Sequence, residues 1–398
     1  MRMGRLVTRM LGGGCAVFLC AAATAFVAVA HAQDTYAIGV SGALTGPPAS
    51  INAPPIEGLR LYVDRLNSLG GINGKRVRLS ILDDQAEPSK AAANAKRLLT
   101  QDNVILLILS SLSSTYAPVV AEIKRANVPL MFMGAVCPKE VYPPAEPLEF
   151  CTTAYAGGYD SRATLAFIKE TAKEPVRLGL AAMAIPLSRG EIDFAESQAG
   201  PLGMRAVDKE IIPPPTADYT PFATKLKAGE PNWGFAYAPW PTEVKTFEAL
   251  RRLGWTGSYM TYGHIQSEDE LSRVKDGGFH LFSANAFFQD NLPVQKEIRD
   301  VAEQGKYSYP ATYATEGWIT GRALEQILKT AGWPATPAKV RDAMDKLNLD
   351  TQGLRGGALV WTPDNHFRTK QYYRFYRYDP DKQSVVRERD WFPVDVVD

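Results

Sequence analysis

The chain has 398 residues, 45% of them hydrophobic and 22% charged, with a formal charge of +1. That is too long for one simple core, so two domains are the starting expectation. The near-neutral balance, with no basic cluster, excludes a protein built to bind nucleic acid or an anionic membrane.

The N-terminus reads as an address rather than as fold. Arg2, Arg5 and Arg9 form a basic start, residues 11–30 are apolar and small, and Ala30-His31-Ala32 is an A-x-A cleavage site. Residues 1–32 are therefore expected to be a secretory signal peptide. The competing reading is a retained membrane anchor, because the run is long enough to span. Losing the three arginines takes the charge to −2 and leaves Cys137 and Cys151 as an even pair in an oxidising compartment. A disulfide between them would close a loop of about 15 residues and contribute about 3 kcal/mol in the chain-entropy model. Two buried thiols is the alternative.

The mature chain opens on a strand at 36–41 and a loop at 42–51. A helix is expected from about Pro55 to Leu69, with Ile56, Leu59, Tyr62, Val63 and Leu66 on one face, ending at Gly70-Gly71. Residues 70–75 superficially match a phosphate-binding loop, but the spacing is wrong and a strand follows instead of a helix. That strand is 77–82, closed by Asp83-Asp84, and an alanine-rich helix follows at 91–99. The unbroken apolar run 104–109 reads as a strand buried on both faces. Ser110-Ser111-Leu112-Ser113-Ser114-Thr115 comes next, and a helix over 116–125 carries Val119, Val120 and Ile123.

The serines therefore sit on a turn between a buried strand and a helix start. Thr115 is expected to cap that helix, with Pro118 in its first turn. Free N–H groups, the positive end of the helix and the hydroxyls make a ready anion site. A turn that only caps the helix is the other reading.

A fourth strand at 128–133 completes β-α-β-α-β-α-β, the pattern of a parallel sheet with helices on both faces. Ligands of such sheets sit beyond the carboxyl ends of the strands. There the loops 42–51, 110–115 and 134–137 converge. The pattern then restarts, with strands at 176–181, 206–212, 233–237 and 258–261 and helices at 159–171, 189–198, 220–227 and 243–253. A return through 279–287, helices at 313–330 and 337–347, and strands at 358–361 and 372–378 finish the chain. The fold class is thus α/β, with two doubly wound parallel-sheet lobes. Residues 33–152 with about 284–355 are expected to form the N-terminal lobe. Residues 153–283 with about 356–398 are expected to form the C-terminal one.

Several motifs carry a resemblance: Ile38-Gly39-Val40-Ser41-Gly42-Ala43-Leu44-Thr45-Gly46-Pro47, Leu69-Gly70-Gly71-Ile72-Asn73-Gly74-Lys75, Leu82-Asp83-Asp84, the serine turn, Asn127-Val128-Pro129 and Gly134-Ala135. In this order the chain resembles the type I periplasmic substrate-binding proteins of ABC importers. The nearest group is the leucine/isoleucine/valine-binding branch, which also holds binders of aromatic acids, amides and urea. The resemblance covers the mature chain. It implies two lobes on a multi-strand hinge that close on a small ligand, a monomer, a periplasmic location and a membrane permease as partner.

The resemblance also implies a site. Ser114 looks like the family's serine for a ligand carboxylate, beside Ser113 and Thr115, and Ala135 and Val136 look like backbone contacts. Cys137 stands where amino-acid binders tend to have Ser or Thr. In the second lobe Arg189 falls in a loop that often gives a ligand-facing aromatic residue, Trp240 follows the strand ending at Tyr237, and His264 falls near the acid that amino-acid binders use for the ammonium group. Gly157 lies near a second expected acid, with Asp160 close by.

A buried ammonium without an acceptor is costly. Arg189, His264 and a helix start, walled by Tyr155, Tyr237 and Trp240, therefore suit a planar carboxylic acid better, such as a benzoate or phenylpropanoid. A branched-chain or other amino acid, an amide or urea is the alternative. Taken alone, Arg189 reads as a solvated helix-start residue, His264 as a loop histidine and Trp240 as surface packing. The sequence carries no nucleophile elbow, H-E-x-x-H or Gly-rich dinucleotide turn, so neither catalysis nor a cofactor or metal is expected. A periplasmic sensory module remains the rival to a transport protein.

Overall fold

A computed structural model describes residues 35–134, 136–264 and 267–396. The signal-peptide expectation and Ala135 lie outside the described residues.

The first sheet is laid down as β1 (Thr35–Gly42), α1 (Ala49–Ser68), β2 (Arg76–Asp83), α2 (Pro88–Thr100), β3 (Leu106–Ser110), α3 (Tyr116–Ala126), β4 (Leu130–Phe132) and β5 (Glu149–Cys151). Its order is β2-β1-β3-β4-β5, with every pairing parallel. The central strand β3 is buried along its whole length, as a run of Leu and Ile covered on both faces requires. Gly42 closes β1 where a Cβ would come within 2.6 Å of the Ser110 carbonyl, so the close approach of β1 to β3 needs a glycine there.

The second sheet follows as α4 (Tyr159–Thr171), β6 (Arg177–Met183), α5 (Pro186–Ala199), β7 (Arg205–Ile212), α6 (Thr220–Ala228), β8 (Trp233–Tyr237), α7 (Trp240–Arg252), β9 (Ser258–Tyr262), α8 (Ser267–Val274) and β10 (Phe279–Ser283). The chain then returns to the first sheet with α9 (Pro293–Gln304), α10 (Thr315–Ala331), α11 (Pro337–Met344) and the short pair β11 (Asn348–Leu349) and β12 (Leu359–Val360). It ends in the second sheet as β13 (Lys370–Asp379) and β14 (Ser384–Asp395). That sheet runs β14-β13-β10-β9-β8-β6-β7. Strands β6 to β10 are parallel, and β13 and β14 form an antiparallel edge. The two doubly wound sheets match the fold class read from the sequence.

Helix starts differ most from expectation. Helix α1 begins at Ala49 and carries Pro54 and Pro55 inside it, where the prolines suggested a start. Ser113–Thr115 form a 3-10 turn running straight into α3, so Thr115 is already helical (φ −90°) and caps nothing; its hydroxyl donates to the Leu112 carbonyl at 2.8 Å. Helix α5 starts at Pro186 rather than at Arg189, and α7 at Trp240 rather than at Glu243. Strand β14 went unread because its Arg, Glu and Asp residues on a half-exposed edge hide the apolar alternation.

Cys137 and Cys151 are bonded, with Cα atoms 5.9 Å apart. The bond ties the loop after β4 to the end of β5. The Cys137 N–H also donates to the Tyr155 carbonyl at 3.1 Å, which fastens that loop to the segment leading into the second sheet. A protein beginning at residue 33 should show no free thiol when unfolded without reductant. Reduction should cost about 3 kcal/mol of stability in a denaturant titration; a full thiol count before reduction would contradict the bond.

Candidate functional site

Strand order places the site. In the first sheet the order reverses between β1 and β3, and in the second between β6 and β8. Loops leaving a parallel sheet at such a switch point diverge to opposite faces and open a crevice at the carboxyl ends of the strands. Here both crevices belong to one cleft. Ser111, Leu112 and Ser113 follow β3, Ile185 follows β6, Pro239 follows β8, Tyr262 ends β9 and His264 follows it. Ile51 and Asn52 from α1, Tyr116 from α3, Gly134 and Val136, Tyr155, Leu187 and Ser188 from α5, and Glu316 from α10 complete the lining. The empty space is about 560 Å³ with its open mouth included.

The polar groups of the cleft are mostly neutral donors. Ser111 donates to Asp84 at 2.8 Å, and Asp84 also accepts from Ser41 at 2.9 Å; burial raises the Asp84 pKa. The Ser113 hydroxyl accepts from the Leu187 N–H at 3.4 Å, a hydrogen bond from the second-sheet wall to the first. Tyr116 donates to the Val136 carbonyl at 2.9 Å, which fixes the loop after β4. Ser188 is buried in the first turn of α5.

Aromatic rings form the other wall. Tyr155 meets Tyr262 edge-on at 4.8 Å, and Tyr262 lies 3.9 Å from His264 and stacks on Tyr237 at 4.4 Å.

The sequence suggested His264 as a cation, and the structure corrects this. Its Nε2 lies 3.0 Å from Glu243 and 3.2 Å from the Ala238 carbonyl, and burial pushes its pKa down to about 3. Burial also pushes Glu243 well above its usual range. Desolvation thus favours the uncharged form of both partners. Asp160, suspected as an ammonium partner, lies behind the cleft. It accepts from Tyr237 at 2.6 Å, Tyr373 at 2.5 Å and the Ala156 N–H at 2.9 Å. Burial, with nearby Glu191, pushes it up to about 8.

Ser113, Val136, Tyr155 and His264 from the sequence reading line the cleft. Ser114 and Thr115 sit behind Ser113 in the 3-10 turn, Thr115 fully buried. Tyr237 stands behind Tyr262, and Trp240 packs in the core beside Phe279, with its ring 5.6 Å from His264. Arg189 is exposed and off the lining, because the earlier start of α5 rotates it out of the cleft. Sequence reasoning put Ser111, Ser188 and Tyr262 in ligand-facing loops without singling them out, and it missed Tyr116 and Glu316. Ser111 belongs to the serine run itself, and Tyr262 extends the alternation of β9 by one residue. Glu316 gave no local signal, because it sits in a helix whose pattern reads as core.

Asp160 generates a pH prediction. It holds its proton to about pH 8 in the fold but releases it near pH 4 in the unfolded chain. The folded state therefore binds the extra proton between these values. Its contribution is full below about pH 4 and is lost as the pH rises through 8. Relative to Asp160→Asn, the wild type should lose about 1–3 kcal/mol between about pH 5.5 and 8 in denaturant titrations. A pH-independent difference would contradict the assignment.

The comparisons with known proteins agree on the fold. Residues 35–383 match the model of the family described as periplasmic binding protein. An amino acid binding protein of Pseudomonas aeruginosa is 23% identical over 337 residues, covering 81% of this chain and 88% of that one. The solute-binding protein of an ABC transporter from Rhodopseudomonas palustris, solved with 3,4-dihydroxybenzoic acid, superposes with a TM-score of 0.78 at 16% identity, over 92% of this chain and 99% of that one. A branched-chain amino acid ABC transporter protein from Thermus thermophilus with bound valine does so with 0.78 at 17%, over 90% and 97%. With a family match that spans most of its length, and a cleft formed where the switch points of two parallel sheets meet, the chain belongs to the periplasmic binding proteins.

Proposed function

We propose that this periplasmic binding protein captures a small carboxylic acid with a flat apolar body, an aromatic acid of the benzoate or phenylpropanoid kind. It would hand that ligand to the membrane permease of an ABC importer. The observation that carries this reading is the state of Glu316. Among the described residues it is the acid on the cleft wall, and both of its oxygens are engaged by Arg355 at 3.0 Å. Its charge is thereby compensated by a guanidinium, so a ligand ammonium would find no unpaired counter-charge on the wall. A carboxylate needs only hydrogen-bond donors. The hydroxyls of Ser113 and Ser188 with the start of α5 supply them, while the Ser111 hydroxyl is committed to Asp84. Tyr155 and Tyr262 offer ring faces to a planar body.

Closure is the binding step. The cleft has one wall on each sheet, so a ligand gains its full contacts only when the walls meet, and it shifts the population to the closed form by that difference. The Leu187–Ser113 hydrogen bond is one contact that joins the two walls.

A second reading, an amino acid ligand, is favoured by the mere presence of Glu316 on the wall. A thermal-shift panel separates the two. A protein beginning at residue 33 is screened with benzoate, hydroxybenzoates and cinnamate against leucine, isoleucine, valine and simple amides. A ligand at about 100 times its Kd should stabilise by about 2.7 kcal/mol. Shifts with the aromatic acids alone are expected. Shifts with the amino acids alone would overturn the acid reading.

A further inference from the structure

Glu316 reaches the cleft because α10 lies close against α1. A Cβ on Gly317 would collide with the Pro55 carbonyl, and one on Gly58 would come within 2.8 Å of the Ala314 carbonyl. This brings a fully buried carboxylate beside the ligand space, and Arg355 stands behind it, 4% exposed and off the lining. One Arg355 nitrogen donates to both Glu316 oxygens at 3.0 Å, and Asn285 donates to one of them at 2.5 Å. The same guanidinium donates to the Asn285 side chain at 3.0 Å and to the Thr152 carbonyl at 2.5 Å. Thr152 and Asn285 lie where the chain leaves the first sheet after β5 and the second after β10. Arg355 is therefore held from three sides, and its position relative to Glu316 is set by the segments between the sheets.

We infer that Arg355 is a specificity-determining residue that never touches the ligand: by occupying both oxygens of Glu316 it makes the cleft wall neutral and so selects acids that lack an ammonium group. This rests on the acid reading above and extends it to a residue outside the cleft. Without the Arg355 guanidinium the wall would carry one buried negative charge, which repels a carboxylate and attracts an ammonium. Without Glu316, the wall would carry the uncompensated positive charge of Arg355. The two substitutions should therefore shift selectivity in opposite directions, which a structural role alone would not produce.

The test uses two ligand pairs that differ only in the ammonium group: 3-phenylpropanoate with phenylalanine, and 4-methylpentanoate with leucine. Calorimetry gives the Kd ratio of amino acid to acid in the wild type, Glu316→Gln, Arg355→Gln and the double variant. The ratio should rise about ten-fold in Glu316→Gln, fall about ten-fold in Arg355→Gln and return near the wild-type value in the double variant. Arg355→Gln strands a buried carboxylate and is the variant at risk of not folding, in which case the near-isosteric Glu316→Gln decides alone. A ratio that moves less than about three-fold in Glu316→Gln, or in the same direction in both single variants, overturns the role of Arg355. A wild type that binds the amino acids and not the acids overturns the acid reading itself, and no heat with any of the four probes counts against both.

Discussion

Parallel pairing is the constraint on which the rest of this structure depends. Neighbouring strands that run the same way must be joined by crossovers, so the loops leaving them gather at one edge of the sheet. In both sheets here the order reverses once among the parallel strands, β1 beside β3 and β6 beside β8. Each reversal opens a crevice. Because the two crevices share one cleft, no single loop has to form a complete site. The serine turn supplies hydroxyls, β9 supplies aromatic and imidazole rings, and α10 supplies a carboxylate.

Burial then decides the chemistry of that cleft. Carboxyl and imidazole groups in and behind it include Asp84, Asp160, Glu191, Glu243, His264 and Glu316, all buried. The low dielectric disfavours charge. His264 is driven to the neutral imidazole, while Asp84, Asp160, Glu191 and Glu243 are shifted toward the protonated form. Glu316 has the guanidinium of Arg355 for a partner instead. On the proposed reading, a wall composed in this way suits a ligand that brings one charge and accepts hydrogen bonds from N–H and O–H groups.

How much of this the sequence disclosed follows from how local each signal was. The apolar run before Ser110, the helix at Tyr159–Thr171 and the strand at Trp233–Tyr237 are set by their own periodicity, and their positions were legible. The disulfide had a local basis too, with two cysteines left in an oxidising compartment. Arg189 was misplaced because the start of its helix was read three residues late, and on a helix three residues amount to most of a turn. The pair of prolines at 54 and 55 masked a helix that had already begun at Ala49. His264 lines the cleft but was given a charge that burial removes, and its partner Glu243, 21 residues away, gave no local sign of this. Glu316 and Arg355 were invisible, being 39 residues apart in sequence and brought together only in the folded chain.

The central claim is that the cleft holds a carboxylate on the serine turn with no ammonium beside it. The most direct measurement is a crystal structure of the protein with the tightest-binding acid from the thermal-shift panel. The account predicts the ligand carboxylate within hydrogen-bond distance of the Ser111–Ser113 turn and the first turn of α5, its ring packed against Tyr155 and Tyr262, and Arg355 still on Glu316. A ligand whose cationic group sits on Glu316, with Arg355 displaced, would contradict it, as would a carboxylate bound away from the serine turn.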